Sequence, residues 1–122
     1  MMNPLLKPFL GTWLLISSIT DGRQASESDI QDVQVSISEA TQTVSIRGQI
    51  IAHEVPFSVD FSMTPYQTTD FLPDGQQIKG ISKVESDILT SCVAPIGQER
   101  PKKFESLPGT GITLREFRRL LE

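Results

Sequence analysis

Val55-Pro56-Phe57-Ser58-Val59-Asp60-Phe61-Ser62 puts an apolar side chain at every second position. A period of two is that of an extended strand with one face buried; a helix would need apolar residues three and four apart. Pro56 has no N–H to give to a ladder, so it belongs at the strand's start or on an unpaired edge. One such strand has nothing to bury its face against, so the fold depends on its neighbours.

The same period recurs on both sides. Upstream, Val33, Val35 and Ile37 alternate with Gln34, Ser36 and Ser38. A turn is expected over Glu39–Gln42, after which Val44, Ile46 and Ile50 alternate with Ser45, Arg47 and Gln49. Gly48 interrupts that run and predicts a bulge or bend where a strand curls. Earlier still, Phe9–Ile19 is rich in aromatic and β-branched residues and ends in the turn signal Thr20-Asp21-Gly22-Arg23. Gln24–Asp32 is polar and predicts a loop, although Ser26 and Asp29 have the spacing of a single capped turn.

Downstream, Met63–Phe71 predicts a short strand after Pro65, and Pro73-Asp74-Gly75 a tight turn. Gln77–Val84 and Ile88–Ala94 form a hairpin across Glu85-Ser86-Asp87. Pro95–Gly111 is a long segment with three prolines and three glycines, and Ile112–Arg118 is a last strand. Leu114, Phe117 and Leu121 also fit helical spacing, which leaves a short C-terminal helix as the alternative. About eight short strands joined by polar turns predict a single all-β domain over residues 1–122, a small antiparallel meander β-barrel. Closure would remove the sticky edges that an open sheet of this size exposes.

Bulk properties exclude several functions. A chain of 122 residues with 38% hydrophobic and 21% charged residues supports one packed core. The net charge of −4 argues against a nucleic-acid partner. The charge is uneven: Arg100–Glu122 carries a net +3 and the preceding residues −7. Cys92 is the only cysteine, so no intramolecular disulfide forms, which fits a reducing, cytoplasmic setting. It lies in an apolar run and reads as a buried strand residue rather than a nucleophile. Phe9–Ile16 is too short to span a bilayer. As a signal peptide it has only Lys7 ahead of it, Pro4 and Pro8 in or beside it, and no small-residue cleavage site after it. No membrane association is expected.

Catalytic and metal chemistry find little support. His53 is the only histidine, and no Gly-x-Ser-x-Gly elbow is present. One histidine and one cysteine do not make a zinc site, and Asp21-Gly22 and Asp74-Gly75 read as turns. No glycine loop of a nucleotide-binding kind occurs, since Pro108-Gly109-Thr110-Gly111 leads into a strand. The expectation is a protein with no enzymatic activity, catalytic residue, metal or cofactor.

Three blocks carry a family resemblance: Leu10-Gly11-Thr12-Trp13, the run Lys79–Cys92, and Arg100–Ser106 with Pro108–Gly111. Together they resemble a small bacterial domain first noted in planctomycetes, itself similar to the lipocalin-like proteins of the calycin group. Ser82 stands where that family's pattern carries a tyrosine. The resemblance implies a lipocalin-like barrel in which Trp13 packs against a basic residue of the last strand, Arg118 or Arg119. Arginine over indole is a sound pairing through cation–π attraction and stacking.

Two sets of residues are candidates for binding. Val55, Phe57, Val59 and Phe61 face one way; they either line a ligand cavity or fill a dry core, and eight-stranded barrels do both. Arg100, Lys102 and Lys103 either bind an anion or fix the loop across the barrel. The expected function is a binding module for a small, partly apolar molecule. The alternative is an interaction domain with a filled core, whose partner is another protein or a second copy of the chain.

Overall fold

The computed structural model describes residues 3–120. Within them the chain forms a short 3₁₀ helix, Pro4–Phe9, and nine strands. The strands are β1 (Gly11–Thr20), β2 (Arg23–Gln24), β3 (Val33–Ile37), β4 (Thr41–Ile46), β5 (Gln49–Asp60), β6 (Tyr66–Phe71), β7 (Gln77–Glu85), β8 (Ile88–Val93) and β9 (Thr113–Arg119). All ladders are antiparallel. β1 and β3–β9 follow one another around the sheet, and β1 pairs with β9 to close it. The result is an eight-stranded meander barrel with β2 as one extra short strand on β1. The last segment is a strand, and the helical alternative is not taken; Leu121 lies outside the described residues.

Local differences from the sequence reading have physical causes. Phe9 ends the 3₁₀ helix instead of starting a strand, because Pro4 sits at the helix start and Asn3 Oδ1 accepts from the Leu5 N–H at 2.9 Å. The turn before β4 is shorter than Glu39–Gln42, since Thr41 and Gln42 already pair with β5 and β3. Gly48 is no bulge. Arg47 and Gly48 both have positive φ (50° and 81°) and form the two-residue turn between β4 and β5. That turn suits the twist of a hairpin, and glycine is the residue that accepts it at least cost. Two bulges lie further along β5, where the register against β4 slips between Gln42 and Val44 and again between Val44 and Ser45. Glu54, at φ 49°, is part of the first.

Pro56 sits inside β5 rather than at its start. The β4 ladder ends at the pair Thr41–Pro56, and the β6 ladder begins at Phe57–Asp70. Phe57 N–H bonds Ala40 O on the β4 side at 3.1 Å, so the nitrogen of Pro56 faces the other way, where no strand pairs yet. Before Pro56, β5 therefore has a neighbour on one side only.

The core sits at the end of the barrel that the 3₁₀ helix covers. Leu6 and Phe9 are buried with Trp13, Leu15, Val35, Leu89 and Phe117. Phe9, Phe61 and Tyr66 stack at centroid distances of 4.9–6.3 Å. A second, outer contact layer lies under the long loop after β8. Ile81 and Cys92 are opposite each other and buried, and the Cys92 thiol faces the carbonyls of Lys103 and Glu105 at 3.4 and 3.5 Å. The end of that loop packs onto the first turn. Gly111 N–H donates to Asp21 Oδ1 at 2.8 Å, and Gly22, at φ +79°, lies so close to Pro108 that a Cβ would fall 2.6 Å from its ring.

Trp13 is fully buried and Arg119 is its partner: the guanidinium carbon lies 4.2 Å from the ring centroid, and the two residues are paired across β1 and β9. Trp13 Nε1–H donates to Phe9 O at 2.9 Å. Arg119 donates to Leu10 O at 2.9 Å and to Pro8 O, so one side chain ties β9 to the helix and caps the indole. Arg118 points outward and is exposed. Trp13→Ala is expected to lower stability by about 3–5 kcal/mol. Arg119→Met should cost about 1–3 kcal/mol through its lost carbonyl bonds, and Arg118→Met less than about 0.5 kcal/mol. Urea midpoints of the three variants check this ranking, and equal effects at 118 and 119 would refute the assignment.

Candidate functional site

Antiparallel pairing fixes which side chains share a face, so the barrel interior follows from register. On β5 the inward set is Val55, Phe57 and Val59; on β9 it is Thr113, Arg115 and Phe117; on β6 it is Tyr66, Thr68 and Asp70. These faces do not fill the barrel. A partly open cavity of about 340 Å³ lies among them. Its apolar wall includes Phe9, Val35, Val44, Phe57, Val59 and Phe117. Its rim reaches the loop after β8, where Ile96 is 47% exposed.

The polar part of the lining is specific. Asp70 and Arg115 both face the cavity, with Gln42, Thr68, Ser82 and Ser91 among the neutral groups beside them. Burial is the largest influence on Asp70 and pushes its pKa up from 3.8 to about 6; the Gln42 amide and the Arg115 charge pull the other way. Burial lowers the pKa of Arg115, and Asp70 opposes this. The two are not in contact as an ion pair, since no Asp70–Arg115 N···O distance falls within 4.0 Å. Each therefore keeps hydrogen-bonding capacity directed at the cavity. Ser82 is buried and lines this space, and a side chain that ends at Oγ leaves volume there that a tyrosine would occupy.

Of the four candidate lining residues, Phe57 and Val59 border the cavity. Val55 shares their face but does not border it, and Phe61 packs into the aromatic cluster with Phe9 and Tyr66. Asp70 and Arg115 escaped the sequence reading because apolar periodicity identifies a buried face only by its apolar members. The signal available was parity: Arg115 stands two residues from Phe117, and Asp70 two from Thr68.

The basic candidates do not share one site with their donors free. Arg100 bonds the wall of the barrel, with Nη1 donating to Thr68 O and to Gly80 O at 2.7 Å and Nη2 to Thr69 Oγ1 at 3.2 Å. That fixes the long loop across β6 and β7. Lys102 and Lys103 are exposed. His53 has a side chain 65% exposed, 3.9 Å from the Glu54 carboxylate, and does not line the cavity. Burial pushes the Cys92 thiol up, so little thiolate forms at neutral pH.

Among the described residues, no group of three or more His, Cys, Asp or Glu side chains is placed to hold a metal ion. No helix among them is long and apolar enough to cross a membrane. Comparison with protein-family models, with curated proteins and with solved structures finds no match.

The raised pKa of Asp70 makes a stability prediction. The folded state holds this proton more tightly than the unfolded chain, so the favourable contribution is complete below 3.8 and is lost as pH rises through about 6. Asp70→Asn is therefore expected to raise stability by about 1–2 kcal/mol at neutral pH and to change it little near pH 3.5. Thermal unfolding at the two pH values measures this; an equal effect at both would show that the charge is not the cause.

Proposed function

We propose that this protein is a non-enzymatic binding module that takes a small, partly apolar molecule into the barrel, in the manner of lipocalin-like proteins. The cavity of about 340 Å³ carries this reading. It falls in the size range of small-molecule sites, and it joins an apolar wall to a few convergent polar groups, the usual composition of such sites. The resemblance of the Lys79–Cys92 and Arg100–Gly111 blocks to the planctomycete-type domain supports the same reading, as does the small residue Ser82 in the lining. A bacterial, cytoplasmic setting is part of the proposal; it rests on that resemblance and on the lone buried thiol of Cys92.

The alternative is an interaction domain with a filled core, and a cavity of this size disfavours it. Nile red, which brightens in apolar surroundings, is the probe for the proposal. It is expected to bind with a micromolar Kd, about 8 kcal/mol, and with one site per chain. Val59→Trp should fill the cavity and abolish the signal, while Ile50→Trp, at a position 60% exposed, should leave it unchanged. Dye binding that survives Val59→Trp in a folded protein would place the dye elsewhere and overturn the reading.

A further inference from the structure

Asp70 and Arg115 are the two ionisable side chains of the cavity lining. They come from β6 and β9, on different parts of the wall, and no N···O contact within 4.0 Å joins them. Arg115 is only partly buried, and with no ion-pair partner its donors are left to the cavity and its water, where an arriving acceptor can take them. Its planar fork matches a carboxylate. An arriving carboxylate, however, would meet Asp70 as a second negative charge. The conflict disappears if Asp70 takes up a proton, for then its O–H donates to the ligand and the cluster of Arg115, ligand and Asp70 is neutral.

We propose that the cavity binds an amphipathic monocarboxylate, with its carboxylate between Arg115 and a protonated Asp70 and its chain along Phe57 and Val59, and that one proton is taken from solvent on binding. This rests on the cavity being a ligand site. The polar groups facing Asp70 are Gln42 from β4 and Arg115 from β9; Thr68, Ser82 and Ser91 add only neutral hydroxyls to the lining. Asp70 needs little driving force to take the proton, because burial has already moved its pKa to about 6. A carboxylate beside it moves it higher.

The test compares decanoate, decanol and decylamine on the whole chain by titration calorimetry. Near pH 7, in two buffers of different ionisation enthalpy, decanoate should bind with uptake of about one proton. Its affinity should fall about tenfold or more between about pH 6 and about pH 8, while that of decanol stays level. Asp70→Asn should keep decanoate binding and abolish both proton uptake and pH dependence. Arg115→Met should reduce decanoate to the affinity of decanol. If that variant does not fold, Arg115→Lys, which keeps the charge and loses the fork, should weaken decanoate and spare decanol.

The inference is overturned if decanoate binds no better than decanol, if proton uptake survives Asp70→Asn, or if decylamine binds more tightly than decanoate. In each of those cases one of the three ligands still enters, and the cavity reading stands. Failure of all three ligands to bind would overturn both.

Discussion

Closure of β1 against β9 is the constraint on which the rest depends. An eight-stranded meander has two edges until its first and last strands pair, and those strands are separated by nearly the whole chain. The seam is held where Trp13 meets Arg119, and the same arginine reaches the carbonyls of Pro8 and Leu10. One side chain thus joins the last strand, the first strand and the end cap. With the seam in register, each position on the eight strands is assigned to the inside or the outside, and the cavity is defined by that assignment.

The strands were legible because their period is short and repeated. Val33–Ile37 and Val55–Phe61 bury one face each, and no tertiary contact is needed to see which. The indole partner was narrowed only to Arg118 or Arg119, although parity with buried Phe117 selects Arg119. Arg47-Gly48 was misread because a glycine in an alternating run suits a bulge or a hairpin turn equally well. What distinguishes them is positive φ at the preceding arginine, a property of the backbone. The N-terminal helix was hidden by its two prolines, which discourage an α-helix but tolerate a short 3₁₀ helix.

The candidate site was half legible, for a physical reason. Phe57 and Val59 announce a buried face by being apolar, whereas Asp70 and Arg115 lie on buried faces in spite of their charge. Residues whose burial costs energy contradict the pattern that finds buried residues. Arg100 makes the opposite point. Its charge and neighbours fit an anion site or a tie across the barrel, and the structure takes the second, because a guanidinium is matched to backbone carbonyls and here β6 and β7 present them.

The divided pairing of β5 has a consequence for solubility. Before Pro56 this strand offers a run of unpaired backbone beside two isoleucines, Ile50 and Ile51, each 60% exposed. A straight strand of that kind would template the addition of another chain. Here the bulges at the slips against β4 bend the strand, and Pro56 ends the run with a position that has no donor. An incoming strand would find no uniform ladder to extend, so the barrel leaves part of its wall unpaired without presenting a straight edge to another chain.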